Sequence, residues 1–173
     1  MQMDTPAAFS FGHLLAVTGV GALAVFAMVT PARSQTGAAP TENKALVQQA
    51  FEAWAAGTGS PYDLLAEDVK WTITGNSLAS KTYGSREAFI GEVIRPFNAR
   101  MSVGLKPTIR RMYVDGDTVI VFFDASGTAK DGVPYANTYA WFLELHDGKI
   151  TNASAFFDSI AFNDLWTRVQ PAR

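Results

Sequence analysis

Residues 115–148 read DGDTVIVFFDASGTAKDGVPYANTYAWFLELHDG. This stretch carries three Asp-Gly pairs, Asp115-Gly116, Asp131-Gly132 and Asp147-Gly148, spaced sixteen residues apart. Asp and Gly tolerate the positive φ of tight hairpin turns, and the β-branched and aromatic residues between the pairs suit strands. Three evenly spaced turns predict a four-strand antiparallel meander. Strands of about a dozen residues, roughly 40 Å long, must twist and curl to find a core.

With two-residue loops at the second and third turns, the register sets Asp124 opposite Tyr139, Ser126 opposite Asn137 and Phe122 opposite Trp141. The next pair of strands then sets Asn137 opposite Asp158, Tyr139 opposite Phe156 and Trp141 opposite Ser154. One face collects these residues. The other collects Val119, Val121, Phe123, Ala125, Ala136, Thr138, Ala140, Phe142 and Glu144. Both faces mix apolar bulk with polar groups, so alternation alone does not choose the pocket side, and a bulge would exchange part of the pattern.

Helices precede the meander. Leu46, Val47, Ala50, Phe51 and Trp54 recur at helical spacing after Thr41, a cap candidate, and Gly57 ends the run. Ser60-Pro61 starts a short second helix, and Val69 to Thr74 alternates as a strand. A third helix is expected from Ser85, carrying Phe89, Ile90, Val93, Ile94 and Phe97 and closed by Pro96. Upstream, Leu14 to Val29 is an uncharged apolar run followed by Ala32-Arg33-Ser34. This reads as a signal peptide over residues 1–34, cleaved before Gln35 and followed by a linker over 35–40, with one domain over 41–173. The predicted destination is the periplasm or the outside of the cell, with an uncleaved membrane anchor as the alternative.

Composition narrows the chemistry. The net charge of -2 offers no attraction for a phosphate backbone, so no nucleic-acid partner is expected. There is no Cys, and His146 is the one His beyond the export segment, so neither a metal site nor a cofactor is expected.

The order of elements, together with Trp71-Thr72-Ile73-Thr74-Gly75-Asn76, Tyr83-Gly84, Tyr135-Ala136-Asn137-Thr138-Tyr139, Asp147-Gly148-Lys149-Ile150 and Phe156-Phe157-Asp158, resembles the SnoaL-like, ketosteroid isomerase-like branch of the NTF2-like superfamily. The resemblance implies an α+β cone in which three N-terminal helices pack in a strongly curved antiparallel sheet, made of the meander and one earlier strand. It also implies a homodimer through that sheet and a pocket for a small apolar molecule. Members include polyketide cyclases, ketosteroid isomerases and limonene epoxide hydrolases. Against the epoxide hydrolases, Asp124, Asp158 and Asn76 stand at matching positions, but Phe122 replaces the expected arginine and Thr74 the expected tyrosine.

Register and resemblance together give a candidate site. Asp124 and Asp158 are its catalytic carboxylates, with Asn76, Phe122, Ser126, Asn137, Tyr139, Trp141 and Phe162 around the ligand. Apolar walls would keep one carboxyl protonated while hydrogen bonds hold its partner ionised, as cofactor-free acid/base chemistry requires. Each residue also has a plainer reading. Asp158 is placed to cap a last helix, Asp124 fits a solvated strand position, and the tryptophans fit a core. Three functions follow: an acid/base isomerase, cyclase or lyase, or hydrolase; a small-ligand-binding protein without turnover; and a dimerisation domain.

Overall fold

The computed structural model describes residues Pro40 to Pro171. The expected signal peptide and linker residues 35–39 lie outside the described residues. Among the described residues, no helix is long and apolar enough to cross a membrane.

The first helix, α1, spans Pro40–Ala56 and so begins one residue before the expected cap. The fixed φ of Pro40 suits a first helical position. Gly57, at φ 74°, reverses the chain. Its N–H donates to Trp54 O and that of Thr58 to Ala53 O, closing the helix in a Schellman motif. Ser60 then caps a 3₁₀ turn, Pro61–Leu64, in a reciprocal box with Asp63.

Strand β1, Leu65–Ile73, and the two-residue β2, Thr82–Tyr83, follow. Ser85 caps α2, Arg86–Phe89, through its Oγ. Pro96 does not close this helix. A π-helical stretch, Ile90–Ile94, carries the chain into α3, Arg95–Asn98. The Arg95 N–H reaches back to Ile90 O, and this wider turn accommodates a proline that has no N–H to give.

The meander forms as expected: β3 (Met101–Asp115), β4 (Thr118–Ala129), β5 (Pro134–His146) and β6 (Lys149–Phe157), followed by α4 (Ser159–Arg168). The sheet is not wholly antiparallel. Its order is β2-β1-β6-β5-β4-β3, and β1 runs parallel to β6, with Trp71 beside Ala153 and Ile73 beside Ala155. The result is an α+β fold with a mixed six-strand sheet. The expected strong curl is also not a feature of it. Register shifts in β3 adjust the length of that strand against β4 step by step.

The register differs from expectation in two places. Ala129 N–H donates to Val133 O, so the second turn has three residues rather than two, with Gly132 at φ 84°. Asp131 drives this choice: its carboxylate accepts from Val133 N–H and pairs with Arg168. The third turn is the expected two-residue loop, with Asp147 and Gly148 at positive φ, but a bulge between Glu144 and Leu145 shifts the pairing beyond it. Asp124 therefore faces Thr138, Ser126 faces Ala136 and Phe122 faces Ala140, while Tyr139 pairs with Phe157 and Trp141 with Ala155. A one-residue slip exchanges sides. Val121, Phe123, Ala125, Asn137, Tyr139 and Trp141 are buried together, and the half-exposed or exposed Phe122, Asp124, Ser126, Thr138 and Phe142 share the outer face.

Behind the sheet, Phe51 of α1 packs edge-on against Phe123 and Trp141, and Val47 is buried in the same core. Each such side chain contributes about 1.5–3 kcal/mol by leaving water. Arg100, only 6% exposed, closes the far end. It donates to Pro96 O at 2.8 Å and Trp166 O at 3.3 Å, and its guanidinium lies 4.1 Å from the Trp166 ring centre. One cation thus serves the carbonyl ends of α3 and α4.

Gly127 marks the tightest strand approach: a Cβ there would sit 2.6 Å from Val103 O and 2.9 Å from Met101 Cε. Gly127→Ala should cost about 1–3 kcal/mol in chemical denaturation, because the obstacle is backbone that cannot rotate away. A neutral result would mean that β3 and β4 do not approach this closely.

Candidate functional site

Between the inner face of the sheet and the helices lies a cavity of about 280 Å³. Trp54 of α1, Tyr62 of the 3₁₀ turn, Trp71 of β1, Phe89, Val93 and Phe97 of the α2–α3 segment, Tyr139 and Trp141 of β5, and Phe157 and Phe162 line it. The aromatic rings fix one another. Trp71 stacks on Phe89 at 4.4 Å and 14°, Trp54 on Trp141 at 6.0 Å and 12°, and Trp71 stands edge-on to Trp141 at 5.1 Å and 88°. The described residues around the cavity include no Asp, Glu, His, Lys or Arg.

Polar groups enter through Ser60, Asn98 and the phenols of Tyr62 and Tyr139. The Tyr135 and Tyr139 hydroxyls lie 3.1 Å apart, and Asn137 Nδ2 donates to Tyr135 Oη at 3.0 Å. The same amide pins the chain beyond β6: Nδ2 donates to Asp158 O at 3.0 Å, and Oδ1 accepts from Asp158 N–H at 2.9 Å. A buried side chain therefore stands in for a strand's main chain. One of the two phenols donates to the other, so Asn137, Tyr135 and Tyr139 form a chain of hydrogen bonds that leads to the cavity wall. Burial raises the pKa of Tyr62, Tyr135 and Tyr139, so all three stay protonated near neutral pH.

The expected site residues separate into three groups. Tyr139, Trp141 and Phe162 line the cavity. Asp124, Ser126, Asn137 and Asp158 instead border a second, more open depression of about 300 Å³ with Lys106, Thr108 and Thr138. Phe122 lies half-buried on the outer face beneath the Arg110 guanidinium, 5.2 Å from its ring centre. Asn76 sits exposed in the loop after β1, its carbonyl accepting from Asn163 Nδ2. The structure thus brings the two carboxylates to one depression but not to the cavity.

Each carboxylate has partners there. Asp124 accepts from Thr138 Oγ1 at 2.7 Å and from Arg110 Nε at 2.6 Å. These bonds, Thr138 first, hold its carboxyl below the ordinary pKa. Arg110 is the bulged residue between Ile109 and Arg111, and that displacement lets it reach across to β4. Asp158 is the N-cap of α4, accepting from Ile160 N–H at 2.8 Å. Tyr62 and Trp71 did not emerge as candidates from the sequence. Tyr62 reads there as one apolar residue of a short helix, and nothing local shows that its ring turns inward.

A family comparison agrees with this architecture: the SnoaL-like domain model matches residues 47–153. The chain belongs to the SnoaL-like domain family. No curated protein matches the sequence. Among solved structures, the chain is similar to Bal32a from a soil-derived mobile gene cassette, at 18% identity over 73% of this chain and 98% of that one, with a TM-score of 0.60. It is similar to an NTF2-like protein from Burkholderia thailandensis at 21% identity, covering 71% and 95%, with a TM-score of 0.59. An LEH-like epoxide hydrolase from M. tuberculosis matches at 18% identity, covering 75% and 92%, with a TM-score of 0.53. At these identities the likeness is one of fold, and function rests on the SnoaL-like chain's own residues.

Two measurements follow from the carboxylates. Asp158→Asn should leave thermal stability nearly unchanged, because Asn is a good cap, whereas Asp158→Ala should cost about 1 kcal/mol. Equal melting of the three proteins would remove the capping role. The Asp124 carboxyl should titrate by NMR below free aspartate, and Thr138→Val should raise its midpoint. A depressed folded pKa means that its stabilisation is complete above the unfolded value of about 3.9 and is lost as pH falls through the folded one. A midpoint at the free value in the wild type would show that the Thr138 and Arg110 bonds do not persist in solution.

Proposed function

We propose that this SnoaL-like protein binds a small, neutral, largely apolar molecule in the aromatic cavity without turning it over. The observation that carries this reading is the lining itself: stacked aromatic walls and protonated phenols, with the two candidate carboxylates outside. A carboxylate base must come within hydrogen-bond reach of the proton it removes. Asp124 is held by Arg110 and Thr138 on the outer face, and Asp158 is occupied at the start of α4. Acid/base catalysis by Asp124 and Asp158 would therefore concern the open depression and not the cavity.

The cavity is close to the lower end of the range typical of small-molecule sites, which fits a ligand of one or two rings. The outer sheet face, where Phe142 and Phe156 pair in the open at 5.9 Å, suits a second copy of the chain.

The cavity reading predicts that tetralin, a two-ring hydrocarbon, is retained by the protein in equilibrium dialysis. Leu105 lines the cavity and is partly exposed, so Leu105→Trp can fill space there with little strain. This variant should lose at least roughly tenfold in tetralin affinity, equivalent to about 1.4 kcal/mol, while melting near the wild type. Unchanged binding in Leu105→Trp would place the ligand elsewhere, and the absence of wild-type binding would defeat the reading.

A further inference from the structure

Resting on the binding reading above, we propose that the ligand is an amphiphile with a neutral polar head. Its apolar body lies in the aromatic cavity, and its head leaves between Ser60 and Asn98 into a neighbouring polar depression. That depression, of about 500 Å³, lies against the 3₁₀ turn, β1 and the α2–α3 segment. Ser60, Tyr62 and Asn98 line both it and the cavity, so the two volumes meet at these residues. Exposure runs in the same direction. Trp71, Phe89 and Trp141 of the cavity are 1%, 2% and 4% exposed, whereas Asn98 is exposed and Ser60 partly so.

Polarity changes across this junction. Around the cavity the described residues include no charged side chain, and around the depression there are five: Asp63, Glu67, Arg86, Glu87 and Arg95. All five are already engaged. Arg86 donates to Glu67 at 3.1 Å, Arg95 grips Glu87 through bonds of 2.7 and 3.2 Å, and Asp63 accepts from Ser60 N–H at 2.9 Å. A charged head would find no free partner of opposite sign there and would still give up part of its water, so a neutral head fits better. The Asn98 amide, which can both donate and accept, suits a hydroxyl passing beside it. The reverse placement costs more: it strips the head of water against ring faces and leaves the apolar body among ion pairs. The Tyr139 hydroxyl, the polar group on the β5 wall, is already bonded to Tyr135.

The test uses tetralin, 6-hydroxyethyltetralin and the β-glucoside of that alcohol, all with wild-type protein. The three share one body, and the glucoside adds a sugar ring that has room only outside the cavity. In equilibrium dialysis the glucoside should bind within about threefold of the alcohol, because its sugar stays in the depression and keeps its water. NMR of the bound alcohol should show contacts from its ring protons to the Trp71 and Trp141 indoles and from its hydroxyethyl protons to the Asn98 side-chain amide. Three results would overturn the orientation while leaving the apolar binding site intact, since tetralin would still bind. One is loss of at least roughly thirtyfold in affinity on adding the sugar, which would mean an enclosed head. The second is hydroxyethyl contact with Tyr139, and the third is hydroxyethyl contact with Leu105 in place of Asn98. Failure of tetralin and the alcohol alike to bind would overturn both readings.

Discussion

The pairing register of β4, β5 and β6 governs where the side chains of the meander lie. Side chains alternate across a strand, so a shift of one residue exchanges everything on it between the core and the outer face. A three-residue loop at Asp131-Gly132 and a bulge near Leu145 together set that shift. The first owes its length to the Asp131 carboxylate, which turns back onto Val133 N–H and reaches Arg168 of α4. One carboxylate at a hairpin tip thereby decides that Tyr139 and Trp141 share a face with Phe123 and that Asp124 does not.

The inner face then needs to be closed without unsatisfied main-chain groups. Asn137 does this for the last strand, exchanging two hydrogen bonds with the Asp158 main chain so that α4 starts where Phe162 can cover the cavity. Arg100 does the corresponding work at the other end, where its guanidinium gathers carbonyls from two helices. A buried charge without a carboxylate partner is expensive. Here the negative ends of two helices and the face of Trp166 take the partner's place, and burial lowers the pKa of the guanidinium.

What results is a pocket walled mainly by aromatic ring faces. The π-helical turn before Pro96 belongs to the same design, because it lets one helical segment continue far enough to present Phe89, Val93 and Phe97 to the cavity. The sheet's opposite face carries the Arg110–Asp124–Thr138 group, a separate polar site built on a bulge in β3. Polar chemistry and apolar volume thus occupy opposite sides of the same strands.

Short-range signals marked the end of α1 at Gly57, the cap at Ser60, the start of α2 at Ser85 and the places of the three Asp-Gly turns, though not the passage of the helix through Pro96. These features are local, since a cap or a turn is decided by a few neighbouring residues whose backbone needs are read directly from their side chains. The N-cap role of Asp158 was legible for the same reason. Packing between elements settled which face each strand residue occupies, through the Asp131–Arg168 pair and the bulge beside Glu144. It also decided that β1 lies parallel to β6, that Arg110 reaches Asp124, and that Tyr62 and Trp71 meet inside the cavity. Such contacts depend on packing across elements, and a period-two pattern carries no mark of where its register slips by one.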